Sequence, residues 1–280
     1  MEQQHGFASA LLGDNSPIGN SGGNGGGAFA AVGSAAGGTA GQFNFGNGFS
    51  LFGGASIAAE DYTQLSVRNV ITLAAAVRYT YTVAPKTHVF AEVGGWYSPN
   101  GSYKFTRTYA NGAGTATGIG STSGRQNYVF ARVGAAYDVT AQDEAALSGE
   151  LGHQEFNIHA YNEQFSATNP FEAHIPGTTD RTNTAKLRVQ WTHSFTTAID
   201  ITGWAAAAHN FGYETNLVAF VPGFGLISPR VANSTRAEFG ARVGYHVTDN
   251  IAVDIFANGV SGGRGGQTRI HVGGGVKARF

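Results

Sequence analysis

The stretch Thr268-Arg-Ile-His-Val-Gly-Gly-Gly-Val-Lys-Ala-Arg-Phe280 alternates between two kinds of side chain. Apolar and small residues occupy its even positions, whereas its odd positions carry the basic residues Arg269, His271, Lys277 and Arg279 among glycines. Because successive strand residues point to opposite faces, the pattern predicts a strand with one apolar and one cationic face. Its length fits the roughly 9–11 residues of a membrane-spanning strand, and its aromatic end fits the lipid–water interface.

Composition restricts how this chain of 280 residues could span a membrane. Charged residues make up 12% of it, about half the usual share, and 42 residues are glycine. No apolar run approaches the roughly 18–20 residues of a membrane helix, so any spanning structure must be a closed barrel. The 17 basic and 18 acidic residues nearly balance, which gives no sign of a nucleic-acid partner. Absence of Cys excludes disulfides and Cys-based zinc sites, and we expect no cofactor and no metal.

Alternation of the same kind recurs along the chain. We predict an all-β fold, a 12-stranded antiparallel up-and-down transmembrane β-barrel over residues 27–280. Residues 1–26 precede it as a linker, either a disordered tail or a short helix (Glu2–Leu12) threaded through the lumen. The predicted strands are Gly27–Ala36, Ala40–Gly46, Phe49–Ala58, Arg68–Val83, Thr87–Tyr97, Arg125–Val139, Glu144–Phe156, Thr182–Phe195, Ala198–Phe211, Thr235–Val247, Ile251–Gly259 and Thr268–Phe280.

Short and long connections alternate between these strands. Short turns are predicted near residues 47, 85, 141, 196 and 249, and long loops at 59–67, 98–124, 157–181, 212–234 and 260–267, with a shorter connection at 37–39. Bacterial barrels keep short turns in the periplasm, and an even strand number then places both barrel termini there. Within the loops, residues 103–109 favour an extension of the hairpin above the membrane. The apolar stretch Leu217–Ile227 is expected to pack against another loop or the pore mouth.

Charged residues fall on the face opposite the apolar one in nearly every predicted strand. An Arg or Lys facing lipid at mid-membrane costs about 2–4 kcal/mol, which explains such sorting. Outward aromatic residues at strand ends predict two girdles, with Tyr81, Tyr137, Phe195, Tyr245 and Phe280 at one interface and Tyr97 and Phe211 at the other. The residues predicted to line the pore are Arg78, Glu92, Arg132, Glu150, Lys186, Arg188, Asp200, Arg236, Glu238, Arg242, Asp254, Arg269, Lys277 and Arg279, with Asp138 on the same face.

Two interpretations of these inward charges stand side by side. Walls of both signs would keep a narrow lumen hydrated and would suit a polar segment passing through it. Alternatively, the charges pair with one another and serve only the structure.

Several runs resemble the C-terminal translocator domains of autotransporters, the type V secretion family. Those runs are Gly240-Ala-Arg-Val-Gly-Tyr-His-Val-Thr-Asp-Asn250 with Ile251–Phe256, the final Gly-Gly-Val-Lys-Ala-Arg-Phe280, Arg132-Val-Gly-Ala-Ala-Tyr-Asp-Val-Thr140, and Gly27–Tyr62. The resemblance implies a monomeric outer-membrane barrel whose pore holds a linker helix, here Glu2–Leu12. It also implies an N-terminal passenger, and insertion by the barrel-assembly machinery, which would read Phe280 as an assembly signal. Residues 1–26 contain no Asn-Asn pair, so self-cleavage inside the barrel is not expected.

The start of the chain bears on export. Met1–His5 has no basic region, and no apolar segment with a cleavage site follows, so this is not a secretory signal. We therefore expect the chain to be a mature piece or fragment of an exported protein.

The function predicted from these observations is secretion or surface display of a passenger; the alternative is a small passive outer-membrane pore or an adhesin without a passenger. An outer-membrane enzyme with a Ser–His pair on the lipid face is a further alternative, because His153, His193 and His209 point outward by parity. A Ser–His pair must lie within about 2.6–3.2 Å, and the neighbouring strands offer these histidines no Ser at matching heights. We therefore expect no enzyme and no catalytic residue.

Overall fold

The computed structural model describes residues 31–62, 65–110, 114–167, 169–216, 218–222, 225–227, 233–248, 251–262 and 268–279. The predicted linker 1–26, its helix and Phe280 lie outside these residues, and the domain boundary at residue 27 stays a prediction. Within the part described, no helix is long and apolar enough to cross a bilayer.

Eleven strands close into one barrel, in which all neighbours but one pair are antiparallel. The confirmed fold class is thus an all-β barrel. Its strands are β1 (Ala31–Gly46), β2 (Phe49–Tyr62), β3 (Leu65–Ala84), β4 (Thr87–Ala110), β5 (Thr115–Asp138), β6 (Asp143–Ile158), β9 (Thr178–Ser194), β10 (Ile199–Thr215), β13 (Ser234–Thr248), β14 (Ile251–Gly262) and β15 (Thr268–Arg279).

The described barrel has eleven strands instead of the predicted twelve because β1 continues through residues 37–39. Gly37 and Gly38 suggested a connection, yet each pairs with β2 on one side and with β15 on the other. Ladder hydrogen bonds on both edges thus outweigh the turn preference of glycine. With an odd number of strands, β1 and β15 run in parallel. Ala31 and Arg279 consequently lie at opposite rims, so the even-number argument that placed both barrel ends at one rim is wrong for these strands.

The turn between β1 and β2 confirms the prediction at residue 47. Asn47 and Gly48 both have positive φ, 50° and 83°, as a two-residue hairpin turn of type I′ requires. A Cβ added to Gly48 would lie 2.2 Å from the carbonyl oxygen of Thr80 on β3. The position therefore requires glycine both for its backbone conformation and for a close approach.

The outer face of the barrel is an apolar belt. Along β5 and the residue that follows it, the belt runs from Val129 to Val139, ten residue steps that span about 25 Å at a tilt of about 40°. The described girdle residues Tyr81, Tyr137, Phe195, Tyr245, Tyr97 and Phe211 are all exposed on this surface, as predicted. Such a belt suits hydrocarbon, since it would otherwise expose a large apolar surface to water.

Longer connections lie at the rim where β3 begins and β4 ends, called here the long-loop rim; the other is the short-turn rim. β4 and β5 extend beyond the belt as one hairpin, which confirms the predicted extension around 103–109. A small four-stranded sheet stands beside it, formed by β7 (Tyr161–Asn162), β8 (His174–Ile175), β11 (Ala219–Val221) and β12 (Gly225–Ile227). Because Phe220 pairs with His174, the apolar loop does pack against another loop, as predicted.

Candidate functional site: the charged inner wall

A single row of charges crosses the inner wall in register. Residues directly opposite each other on neighbouring strands are Arg78 and Glu92, Glu92 and Arg132, Arg132 and Glu150, and Glu150 and Lys186. Directly opposed side chains have Cβ atoms about 4.5–5.5 Å apart, so alternating signs attract along the whole row. We call Arg78, Glu92, Arg132, Glu150 and Lys186 the charge row.

Distances along the charge row are those of ion pairs. Arg78 Nε donates to Glu92 Oε2 at 2.7 Å, and Arg132 Nη1 lies 3.2 Å from Glu92 Oε1. Arg132 Nε donates to Glu150 Oε2 at 2.8 Å, and the hydroxyl of Tyr128 donates to Glu150 Oε1 at 2.6 Å. Each carboxylate therefore has at least two positive or hydrogen-bonding neighbours, which offsets the cost of removing it from water.

The charge row also contacts β13, although β10 lies between β13 and β9, the strand that carries Lys186. Lys186 on β9 stands opposite Ala208 of β10, and Ala208 stands opposite Arg236 of β13. Over this alanine, Lys186 Nζ lies 2.8 Å from Glu238 Oε2. Arg236 Nε donates to Glu238 Oε1 at 2.6 Å, and its Nη1 donates to Asn210 Oδ1 at 2.7 Å. Small side chains on β10 thus let β9 and β13 interact directly.

Aromatic rings flank the guanidinium groups of the inner wall. The Arg78 guanidinium lies 4.5 Å from the ring centre of Phe90, and that of Arg188 lies 4.2 Å from Trp204. Cations gain electrostatic energy over ring faces when water is excluded. Glycine makes room for one of these rings, because a Cβ on Gly134 would lie 2.5 Å from the Phe90 ring.

A second cluster lies nearer the short-turn rim. Arg242 is 1% exposed and is held between Asp200 and Asp254, donating from Nη1 to Asp254 Oδ1 at 2.6 Å and from Nη2 to Asp200. His246 Nε2 lies 2.8 Å from Asp200 Oδ2. One guanidinium therefore joins β10, β13 and β14 at this level.

The described residues of the predicted pore-lining set all sit on the inner face. These residues form three groups: the charge row with Glu238 and Arg236, Arg242 with Asp200 and Asp254, and Arg188 stacked on Trp204. Asp138 lies near the short-turn rim, with its Oδ2 3.4 Å from His88 Nε2. For Arg269, Lys277 and Arg279 only the strand positions are described. Most of these inner side chains are buried, so pairing dominates over open hydration on this wall. Whether they line a pore for transport stays a proposal.

Sequence reasoning missed an apolar cluster inside the long-loop mouth. Val67, Val70, Tyr103 and Phe156 are buried together there, with Phe105 and Ile158 packed against them. The signal was hidden because a β-bulge near Asn69, which has φ 57°, shifts the register between β2 and β3 and changes which face β3 presents beyond the belt.

Above this cluster, an ion pair between the half-buried Arg107 and the buried Glu163 lies outside the membrane and fixes the loop of residues 159–177. Arg107 Nε donates to Glu163 Oε1 at 2.7 Å, and its Nη2 donates to the carbonyl oxygen of Phe171 at 2.7 Å. The backbone N–H of Ala173 donates to Glu163 Oε2 at 3.0 Å. Hydrogen bonding to Glu163 raises the pKa of Arg107, so this cation is permanent.

The outward histidines are accounted for by other partners. His153 Nδ1 lies 2.9 Å from Asn183 Oδ1, His209 Nδ1 lies 2.8 Å from Thr235 Oγ1, and His193 Nδ1 lies 2.8 Å from Asp143 Oδ1. A Ser–His contact does occur beyond the belt, where Ser123 Oγ lies 2.9 Å from His159 Nδ1. Among the described residues no carboxylate hydrogen-bonds to His159, so this pair lacks the group that orients a catalytic histidine.

The closed sheet, the apolar belt, the aromatic girdles and the charged inner wall together define a transmembrane β-barrel of the outer-membrane type. No protein-family model matches the chain, and no curated protein matches it by sequence.

Comparison with solved structures identifies barrels of similar fold. The barrel is similar to the translocator domain of the autotransporter NalP from Neisseria meningitidis, with a TM-score of 0.56 and 14% identity over 85% of this chain and 76% of that domain. The chain thus has an autotransporter translocator fold. It also matches the toluene transporter TbuX of Ralstonia pickettii (TM-score 0.45, 12% identity, 78% of this chain and 74% of that one). A match to the outer-membrane channel DcaP of Acinetobacter baumannii has TM-score 0.29 and 12% identity, over 82% and 80%. These last two scores carry no argument about fold or function.

Proposed function

We propose that this protein is an outer-membrane translocator domain that supports secretion or surface display of an N-terminal passenger. The observation that carries the proposal is the fold, a closed barrel that matches 76% of the NalP translocator domain. The charge row with Glu238 and Arg236, and the Arg242 cluster, support it, because their basic and acidic groups pair with one another. A polar segment moving past these groups would meet no large net charge.

A fusion experiment tests the passenger function. A folded reporter attached upstream of Met1 should become accessible to protease added to intact bacteria, in amounts equal to the folded barrel. The control is the same reporter on an unrelated barrel whose N-terminus stays in the periplasm. A reporter that remains protected in cells with correctly folded barrel would contradict the proposal.

We place the short-turn rim in the periplasm and the long-loop rim outside, following the usual arrangement of bacterial barrels. An epitope inserted after Val218 should then be labelled on intact cells, whereas one inserted between Thr196 and Thr197 should need permeabilised cells. The reverse labelling would overturn this orientation.

Insertion is proposed to depend on the barrel-assembly machinery reading the last strand. Removing Phe280 should lower the folded fraction in cells, while the same variant refolded in detergent should still form the barrel. Normal insertion in cells without Phe280 would argue against its role as a signal.

The passive pore is the second candidate because the inner wall carries charged groups from the charge row to the Arg242 cluster. Conductance in planar bilayers separates the two functions. A translocator with residues 1–26 in its pore should conduct more after their deletion. High conductance of the full chain, unchanged by the deletion and without reporter display, would favour the pore.

A further inference from the structure

Three basic residues stand together on the outer wall, just beyond the belt at the long-loop rim. Arg68 of β3 pairs with Ser102 of β4, and Ser102 pairs with Ser123 of β5. Lys104 lies two residues beyond Ser102, and Arg125 lies two residues from Ser123 toward the belt. Strand spacing puts Arg68 about 8 Å from Lys104 and about 12 Å from Arg125.

All three basic side chains of this patch are exposed and point away from the barrel axis. The intervening residues Tyr103 and Gln126 are buried on the inner side, where Gln126 Nε2 donates to the Tyr103 hydroxyl at 3.0 Å. Since side chains alternate along a strand, Lys104 and Arg125 face outward. We call Arg68, Lys104 and Arg125 the rim patch.

Arg125, the residue of the rim patch nearest the belt, lies at the height of lipid headgroups. Tyr97, a residue of the upper girdle, pairs with Asn127, and Arg125 lies two residues, about 7 Å, beyond Asn127. Aromatic girdles mark the boundary between acyl chains and headgroups. Lys and Arg side chains there extend into the layer that holds lipid phosphates.

One described carboxylate lies close to Arg125 of the rim patch. Glu155 is the described carboxylate nearest to Arg125 on this face, and it is already bound by Arg181 of β9, with Nε 2.9 Å from Oε2. Neither Lys104 nor Arg125 forms a salt bridge with a described residue, although Arg125 interacts electrostatically with Glu155. Arg68 Nη1 donates to the carbonyl oxygen of Val67 at 2.8 Å, which holds its side chain in place.

Hydroxyl groups complete the chemistry of this surface. The outward residues Ser102, Ser121 and Ser123 lie between the cations, and Ser123 is hydrogen-bonded to His159. Cations with interleaved hydroxyl donors suit phosphate oxygens on a sugar, which accept several hydrogen bonds at once.

We propose that the rim patch binds the phosphorylated glycolipid headgroups of the membrane leaflet at the long-loop rim. This inference goes beyond passenger transport and depends on the barrel geometry alone. The patch would hold one headgroup against the wall and fix the height of the barrel in the membrane.

Lipid binding to the purified full-length chain in nanodiscs tests the proposal. The probes are a bis-phosphorylated glycolipid, its dephosphorylated form, and inorganic phosphate. Binding is measured by native mass spectrometry and by titration. Lys104→Gln and Arg125→Gln should each weaken binding of the phosphorylated glycolipid about fivefold, equivalent to about 1 kcal/mol per charge. The double variant should weaken it about 25-fold, because the two residues are well separated.

Lys86→Gln is the matched control, since it removes one exposed cation at the opposite rim. It should leave binding unchanged, and each variant is first checked for folding by its heat-dependent migration on gels. Equal loss in Lys86→Gln, equal binding of the dephosphorylated glycolipid, or displacement by inorganic phosphate as effective as by the lipid would each overturn the proposal.

Discussion

Lys186 and Glu238 form an ion pair of 2.8 Å although their strands, β9 and β13, are separated by β10. The pair passes over Ala206 and Ala208, the inward residues that stand opposite Glu238 and Lys186. Both charged side chains are almost completely buried. The small size of these two alanines therefore allows the charged residues of β9 to form an ion pair with those of β13.

A larger side chain at residue 208 should break this contact. Ala208→Leu is expected to destabilise the barrel by about 1–3 kcal/mol, the usual cost of overpacking a filled site. Ala207→Leu adds the same atoms on the lipid face and should cost little. Urea unfolding in detergent, followed by tryptophan fluorescence, measures both. Similar midpoints for the two variants would refute the packing argument.

Removal of the ammonium group should cost more than the loss of the pair itself. Lys186→Met leaves Glu150 and Glu238 with fewer positive neighbours, and breaking a buried pair in this way costs about 3–5 kcal/mol. Lys186→Met combined with Glu238→Gln should recover part of that loss, because one of the two carboxylates that lost a positive neighbour becomes neutral. A double-mutant cycle gives the coupling energy. Strict additivity of the two substitutions would contradict the contact.

The Arg107–Glu163 pair should hold the loop of residues 159–177 closed to protease. Phe165 in this loop is 71% exposed and offers a chymotrypsin site. Glu163→Gln should raise cleavage there about tenfold or more, since a hydrogen bond to a charged group contributes about 1.5–3 kcal/mol. Glu172→Gln changes the charge of the same loop and serves as control. Equal cleavage of both variants would show that the Arg107–Glu163 pair does not hold the loop in place.

Gly48 should tolerate no side chain, whereas Gly149 should. Gly48→Ala would force a positive φ and bring Cβ within 2.2 Å of the Thr80 carbonyl oxygen. A loss of about 1–3 kcal/mol is expected. A Cβ on Gly149 meets nothing within 4 Å, so Gly149→Ala should leave the unfolding midpoint unchanged. The prediction fails if Gly48→Ala unfolds like the native protein.

The protonation of Asp143 at the short-turn rim should make the stability of the barrel depend on pH in the acid range. Its carboxylate accepts hydrogen bonds from Thr140 Oγ1 at 2.6 Å and from His193, and these, in that order, lower the pKa of Asp143. A carboxyl group whose pKa is lowered by folding stabilises the fold at pH values above its ordinary pKa of about 4. This stabilisation is lost as the pH falls below 4 and through the lowered pKa. Thr140→Val should raise the Asp143 pKa, measured by NMR or infrared titration. The stability difference between the two proteins should shrink below pH 4, and a constant difference would exclude this linkage.

Alternation predicted the faces well, because a one-residue error would put charges into hydrocarbon. Residues such as Arg132 and Glu150 were assigned to the inner wall by parity alone, and the exposed Tyr81 and Phe211 to the girdles. The prediction of strand boundaries was wrong where the side chains are small and the alternation is weak. Gly37 and Gly38 looked like a connection, and only pairing with β2 and β15 showed a continuous strand.

The sequence by itself determined that this chain closes into a barrel with an apolar outside and a charged inside, since the period of two and the scarcity of long apolar runs leave no other membrane-spanning structure. Only the tertiary structure decided which charges meet. Register between strands depends on turns, bulges and the closure of the sheet, which bring together residues as distant in sequence as Lys186 and Glu238 or Arg68 and Arg125. Local patterning contains no such information, because it fixes the direction of a side chain and not its height on the barrel wall.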